Sequence, residues 1–155
     1  MFGAGYAVAS DRLFLMDVLR HTGRADLSSF LGGSNLASDE EQWRFAPYTD
    51  KDLRRQLSLA KQLGPLGRRS VTDLVAYVAG INAYIAEARQ DADLMPVEYG
   101  LIGKELKDWK KTDVVATASL IGGIFGKGGG GSVNAAQILR ALEKRFGMQD
   151  RKSVV

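Results

Sequence analysis

The apolar residues of this chain recur at intervals of three and four, and this spacing limits the fold more than any other feature. The clearest stripe consists of Leu74, Val78, Ile81, Ile85 and Ala88. Such spacing places side chains on one face of an α helix, and the apolar-polar alternation typical of strands is missing. No fixed repeat emerges, which disfavours a helical solenoid. The sequence therefore predicts an all-α fold, an irregular multi-helix domain.

An apolar segment between positions 13 and 19 predicts a helix that is buried on most sides, because its apolar residues point in several directions. Asp17 and Arg20 must then find partners or an edge, since an unpaired buried charge is costly. Asp11 and Arg12 precede this segment, and we expect a structural ion pair that locks the helix rather than a catalytic pair.

Capping residues and glycines predict where the next helices begin and end. A short helix from Ala25 to Leu31 should end at the glycine pair that follows it. Thr49 is a suitable N-cap for a helix reaching about Leu63, where Gly64-Pro65 stops it. The inward stripe of that helix would be Leu53, Leu57, Ala60 and Leu63.

Ser70 or Thr72 is the predicted cap of the helix that carries the clearest stripe. Residues 91–109 contain a proline and two glycines and read as an irregular connector, in which Leu101 and Ile102 should point inward.

Asp113 is predicted to open an apolar helix over 114–125. The glycine run at 126–131 should break the chain as a mobile loop near a ligand site, before a last helix from Ser132 or Asn134 to Phe146. Its inward face would be Ala135, Leu139, Leu142 and Phe146. We expect residues 1–147 to form one helical domain, with Gly147 as the helix stop and 148–155 as a frayed tail.

Composition excludes several classes of function. The chain has 21 basic and 18 acidic residues spread along its 155 positions, so we expect no nucleic-acid partner. It has no cysteine, which removes disulfides, thiolate zinc sites and a cysteine nucleophile. No run approaches the ~20 apolar residues of a membrane span, and no secretory signal pattern is seen. We expect no membrane partner.

Three polar features could indicate a catalytic histidine, a cation site and a phosphate loop, but the surrounding residues do not fit these functions. His21 is the only histidine and has no evident serine or carboxylate partner, so a structural role is favoured. The acidic run 39–41 cannot converge on one cation and reads as a solvated helix start. Lys127 precedes the glycines, whereas a phosphate loop needs a lysine after them, so nucleotide binding is disfavoured.

The segment from Gly5 to Met16 reads Gly-Tyr-Ala-Val-Ala-Ser-Asp-Arg-Leu-Phe-Leu-Met and is followed by Arg20 and by Gly23-Arg24. This segment resembles the opening of the α subunit in the penicillin acylase (penicillin amidase) family, in which Gly-Tyr-x-x-Ala-x-Asp-Arg-Leu-Phe-x-Met is approximately kept.

Later landmarks of that family follow in order. Tyr77 to Ile85 resembles its Tyr-x-x-Gly-x-Asn-Ala-x-Ile segment, and 96–99 resembles Leu-Pro-x-Glu-[Phe/Tyr]. Trp109 and Asp113 match Trp-x-x-x-Asp, and Asp39 with Arg44 matches Asp-x-x-x-Arg loosely. The resemblance covers Gly5 to about Gly147. Gly80 costs stability inside a helix, so close helix packing should offset it, and Asn82 should make a specific hydrogen bond.

The resemblance implies an N-terminal-nucleophile hydrolase whose precursor is cleaved into α and β chains. In the family, the nucleophile is the first residue of the β chain, and its own α-amino group is the base. Amide hydrolysis requires such an activated nucleophile and an oxyanion site. None of this matches a residue here, so we expect no catalytic residue in this chain and the β chain of the same precursor as its partner. The motif begins almost at Met1, and we expect a fragment of a larger precursor.

The resemblance also implies a binding role for Ile121, Ile124 and Phe125, which would form part of the pocket for the acyl side chain of the substrate. An ordinary place in the core is the alternative. No cofactor or metal is expected, because Ser132 stands where many members have a glutamate ligand for calcium.

The predicted function is that of an α-subunit fragment of an amidohydrolase, which would be inactive alone. It would help to cleave the linear amide of an N-acylated substrate such as a β-lactam antibiotic or an acyl homoserine lactone. Family resemblance implies a periplasmic or secreted location. The alternative is a non-catalytic helical interaction module. An isolated fragment would expose the apolar face that the β chain covers and could self-associate.

Overall fold

The computed structural model describes residues 1–126 and 128–146, with side chains described for 1–126 and 133–146. The regular elements of this part are all helical, which confirms the all-α prediction. The eight α helices are α1 (Phe2–Gly23), α2 (Leu27–Leu31), α3 (Leu36–Phe45), α4 (Asp50–Gln62), α5 (Pro65–Ala88), α6 (Val97–Ile102), α7 (Lys111–Gly126) and α8 (Gly128–Phe146). Short 3-10 turns lie at Gly33–Asn35 and Ala92–Leu94.

The chain divides into two compact units, Met1–Leu120 and Ile121–Val155. The core of the first unit lies where α1 packs along α5. Leu13, Ile81 and Ile85 are completely buried there, and Tyr99 and Trp109 from the later segments complete the cluster. Gly80 brings α5 close to α1, because a Cβ at this position would lie 2.0 Å from the carbonyl oxygen of Phe2. The prediction that close packing explains this glycine is confirmed.

Helix α1 is kinked at Arg12, whose φ of −143° and ψ of 28° are not helical. The Arg12 guanidinium contacts the Asp11 carboxylate at 3.0 Å, but both side chains are exposed. An exposed ion pair stabilises a protein little. The predicted pair therefore exists, but it lies on the surface and does not lock the helix.

The short helix α2 begins at Leu27 and not at Ala25, because Ala25 adopts a left-handed φ of 55°. The buried Asp39 carboxylate accepts the N–H groups of Leu27 at 2.7 Å and Ser28 at 2.9 Å. A carboxylate at a helix N-terminus satisfies free N–H groups there. The solvated interpretation of the acidic run is wrong for Asp39 and correct for its two exposed neighbours.

The start of α4 confirms the capping prediction, since Thr49 and Asp52 form a reciprocal capping box. Gly64 follows with a φ of 84°, and Pro65 is already the first residue of α5. Proline suits that position because its missing N–H is not needed there. The predicted caps Ser70 and Thr72 are therefore wrong, since both lie inside α5. Leu63 is exposed, which also corrects its place in the α4 stripe.

The predicted connector contains the second 3-10 turn and α6. Ile102 packs against the core, as expected. Leu101 does not, because its side chain is 83% exposed. Neighbouring helical residues point in directions about 100° apart, so one of the two can face inward without the other.

Helix α8, in the second unit, begins at Gly128, earlier than the predicted start at Ser132 or Asn134, and the glycines from Gly128 onward are helical. Its expected inward residues Ala135, Leu139, Leu142 and Phe146 are exposed, which corrects the predicted inward face. Gly147 and the tail lie outside the described residues. None of the described helices is both long and apolar enough to span a membrane.

Candidate functional site

The residues predicted to bind substrate lie in the last turns of α7. Ile121, Ile124 and Phe125 are 40%, 55% and 82% exposed. Residues at i, i+3 and i+4 share a helix face, so the three form one apolar surface. The binding role stays a prediction.

The first turns of α7, in contrast, are buried at Thr112, Asp113, Ala116 and Leu120. The helix passes close to α1, since a Cβ at Gly23 would lie 2.8 Å from the Ala116 carbonyl oxygen. The Asp113 carboxylate, at the third position of α7, reaches back to accept the N–H of Lys110, the residue before the helix, at 2.7 Å and so caps the helix. The beginning of α7 is therefore fixed by both backbone packing and capping.

Asp17 is the centre of a buried polar cluster. Its carboxylate is 1% exposed and accepts the Tyr99 hydroxyl and the Trp109 indole N–H, each at 2.7 Å. The Arg20 guanidinium contacts it at 2.9 Å. A buried charge is tolerated only when it is paired and hydrogen-bonded in this way. Burial, and then the charge of Asp17, raises the pKa of Tyr99 above the ordinary tyrosine value.

Arg20 connects this cluster to the segment before α7. Its guanidinium carbon lies 5.0 Å from the centre of the Trp109 ring, which is a cation–π distance. It also donates to the Asp108 carbonyl oxygen at 3.3 Å and lies 3.7 Å from the Asp113 carboxylate. One side chain of α1 thus contacts three residues around the start of α7.

A second line of charges links α7 to α4. Arg24 contacts Asp113 at 3.1 Å and Asp50 at 2.6 Å, and Asp50 is also paired with Arg54. The chain of alternating charges therefore runs through α1, α4 and α7. Each buried carboxylate in it has at least one arginine partner.

Asn82 holds the backbone of Trp109 from α5. Its side-chain amide donates to the Trp109 carbonyl at 3.0 Å, and its oxygen accepts the Trp109 N–H at 2.8 Å. The predicted specific hydrogen bond of Asn82 is confirmed and is in fact a pair. Peptide groups outside helices need such partners when they are buried.

The comparison with known proteins identifies the family. The family model described as penicillin amidase matches residues 1–154. The chain belongs to the penicillin amidase family. The resemblance of its sequence to the α-subunit region of penicillin acylases is thereby confirmed.

Two curated relatives and one solved structure show which part of the family this chain matches. It is 30% identical over 122 residues to penicillin acylase 2 proenzyme from Pseudomonas sp. (strain SE83), covering 79% of this chain and 14% of that protein. It is 29% identical over 117 residues to penicillin G acylase from Escherichia coli, covering 73% and 12%. The thermostable penicillin G acylase from Alcaligenes faecalis, solved in a tetragonal form, has a TM-score of 0.68 and 25% identity, covering 99% of this chain and 84% of the solved chain. The chain thus spans a small part of the curated penicillin acylases.

The environment of His21 agrees with the structural role that was favoured from the sequence. Its Nδ1 lies 2.8 Å from the Asp26 carboxylate, and its ring stacks on Phe30 at 4.4 Å. Within the described residues, no serine bonds to His21, so this penicillin amidase family member has no Ser-His-Asp arrangement there. In the same part of the chain, no three acidic or histidine side chains converge as a metal site. The side chain of Ser132 lies outside the described ones.

Two parts of this arrangement were not predicted from the sequence. Asp17 and Arg20 were expected to have partners, but the identity of those partners was not. Trp109 and Asp113 match the penicillin acylase pattern, but no contact was predicted for either residue. The usable signal was the placement of charged residues within an apolar helix, because such residues must be paired with polar groups from other segments.

Proposed function

We propose that this chain is the α-subunit part of a penicillin-acylase-like amidohydrolase. The enzyme would hydrolyse the linear C–N amide bond of an N-acylated substrate such as a β-lactam antibiotic or an acyl homoserine lactone. Membership of the penicillin amidase family supports the reaction class. The observation that carries the proposed role of this chain is the exposed apolar face of Ile121, Ile124 and Phe125.

These three side chains would form part of the wall of the acyl pocket. Pockets for small molecules are mostly lined by apolar and aromatic groups, and their shape selects the acyl chain. The exposed face of α7 offers two branched side chains and one aromatic ring on a regular helix. We propose that this face contacts the acyl group of the substrate, while groups on another chain bind and cleave the amide.

That other chain would be the β chain of the same precursor, as in an N-terminal-nucleophile hydrolase. Its first residue would attack the amide carbonyl, with its own α-amino group as the base. One matched relative is named a proenzyme, and this chain covers 14% of it. The exposed apolar residues of α8 offer a surface that a second chain can cover. We propose a periplasmic or secreted location for the assembled enzyme, as the family resemblance implies.

The test uses the complete reading frame that contains this chain, expressed and allowed to mature. Hydrolysis of chromogenic amides with short aliphatic and large aromatic acyl groups is compared between wild type and Phe125→Ala. We expect the ratio of kcat/KM between the two acyl classes to change by about tenfold, because contacts of a few carbon atoms give that much discrimination. Leu101→Ala is the matched control, since Leu101 is as exposed as Phe125 but lies on α6.

The two parts of the proposal fail separately. A mature protein without amide hydrolysis would refute the reaction class and favour the helical interaction module. An active enzyme whose acyl preference is unchanged by Ile121→Ala, Ile124→Ala and Phe125→Ala would refute the pocket assignment alone.

A further inference from the structure

A groove of about 550 Å³ lies between α4, α5 and the start of α7. All of its lining residues belong to the first unit. Its α4 wall consists of Asp50, Arg54, Leu57, Ser58 and Lys61. These positions recur at intervals of three and four and so share one face of the helix.

The groove has an excess of positive charge. Arg54, Lys61, Lys110 and Lys111 line it, and Asp50 is the single carboxylate among the described lining residues. That carboxylate is already paired with Arg24 at 2.6 Å and with Arg54. An anion entering the groove would therefore meet three lysines and no unpaired negative charge from its walls.

The amino terminus of α7 lies at the edge of this groove. Lys111 and Thr112 are the first two residues of this 16-residue helix, and both line the groove. The first N–H groups of a helix lack partners within it, and the helix dipole favours an anion there. The Asp113 carboxylate already accepts the Lys110 N–H at 2.7 Å, and its charge is balanced by Arg24 at 3.1 Å, which leaves the N–H groups of Lys111 and Thr112 for a ligand.

The side-chain hydroxyl of Thr112 is a second sign of a ligand, independent of the charge of the groove. This residue is 5% exposed, and within the described chain its Oγ1 has no hydrogen-bond partner. Buried polar groups nearly always have a partner, so an orphaned hydroxyl beside a cationic groove points to an absent ligand. Threonine in a helix populates two χ1 rotamers, so its hydroxyl can turn without movement of the backbone.

We propose that this groove binds a small oxyanion, namely a phosphate or carboxylate group, between Lys111, Thr112 and the α4 wall. The oxyanion would accept hydrogen bonds from the lysine ammonium, the threonine hydroxyl and the helix N-terminus. Leu57 and Val71 line the same groove and would contact the organic part of a larger ligand. The site shares no residue with the proposed acyl pocket, so its failure would leave the proposed function intact.

The test measures thermal unfolding and calorimetric binding of the mature protein made from the complete reading frame, with sodium phosphate, sodium acetate or sodium chloride at equal ionic strength. We expect a saturable stabilisation by phosphate or acetate that chloride does not give, because a ligand that binds only the folded state stabilises it by mass action. Lys111→Gln and Thr112→Val should each weaken the Kd by about tenfold, the usual effect of losing one hydrogen bond to a charged group.

Lys51→Gln is the matched control, because Lys51 is exposed on α4 and does not line the groove. It should change the Kd less than about twofold, because a solvent-exposed charge outside the groove is screened by salt. If phosphate stabilises the protein more than acetate does, the groove prefers a phosphate group. If the two stabilise it equally, the groove accepts either a phosphate or a carboxylate group. The proposal is overturned if chloride stabilises equally, or if Lys51→Gln weakens binding as much as Lys111→Gln.

Discussion

Gly5 of α1 and Gly80 of α5 face each other where the two helices cross. A Cβ on Gly5 would lie 2.0 Å from the Tyr77 carbonyl oxygen, and a Cβ on Gly80 would lie 2.0 Å from the Phe2 carbonyl oxygen. Neither position can hold a side chain without separating the helices, because the clashing atoms belong to the backbone. The core between α1 and α5 therefore depends on two glycines at one crossing.

We expect Gly5→Ala to lower the free energy of unfolding by about 2 kcal/mol, because overpacking outweighs the gain in helix propensity. Urea unfolding followed by circular dichroism measures the change. Gly3→Ala is the control on the same helix, since a Cβ there meets nothing within 4 Å. That variant should be unchanged or more stable by up to about 1 kcal/mol. Equal effects of the two substitutions would refute the close-crossing explanation.

The Gly80 result shows how far sequence reasoning reaches into this fold. A glycine in a strongly periodic helix costs stability, so a close approach could be inferred from the sequence alone. The partner Gly5 could not be inferred, even though it opens the family motif. Periodicity tells which face of a helix is apolar, but not which residue of another helix packs against it.

Because periodicity does not show what packs against an apolar face, several residues that were predicted to be buried are exposed. Leu63, Leu101, Leu139 and Leu142 were expected to face inward, and all are exposed in the described chain. An apolar stripe shows that a surface is suited to burial but does not show what covers it. The partners of Asp17 could not be predicted from the sequence either, because Tyr99 and Trp109 are 82 and 92 positions away from it.

Tyr99→Phe removes one hydrogen bond to the buried Asp17 carboxylate. We expect the free energy of unfolding to fall by about 2 kcal/mol at neutral pH, because hydrogen bonds to charged groups are worth more than neutral ones. Tyr6→Phe is the matched control, since the Tyr6 hydroxyl donates to Glu87 at 2.6 Å on the surface. Denaturant unfolding should show little change for the control. A Tyr99→Phe protein as stable as wild type would refute the importance of this bond.

Alkaline pH should distinguish Tyr99 from an exposed tyrosine. Its folded-state pKa is raised, first by burial and then by the charge of Asp17. The unfolded-state pKa is about 10, so the stability linked to protonated Tyr99 is fully present below that pH and is lost as the pH rises above it. We therefore expect the stability difference between wild type and Tyr99→Phe to shrink above pH 10, as measured by urea unfolding at several pH values. A difference that stays constant with pH would contradict this linkage.

Asn82 offers the last test, because its amide bonds to both the carbonyl and the N–H group of Trp109. We expect Asn82→Ala to lower the free energy of unfolding by about 2 kcal/mol, the net contribution of two hydrogen bonds at ~1 kcal/mol each.

The local readout for Asn82→Ala is the fluorescence of Trp109 in a Trp43→Phe background, which removes the other of the two tryptophans. The emission of Trp109 should shift to longer wavelength, because loss of both bonds frees the backbone that holds the buried ring against Arg20. Asn35→Ala is the control, since Asn35 bonds to Gly32 at an exposed 3-10 turn. Destabilisation without a shift in Trp109 emission would mean that Asn82 acts through packing of α5 and not through the segment that leads into α7.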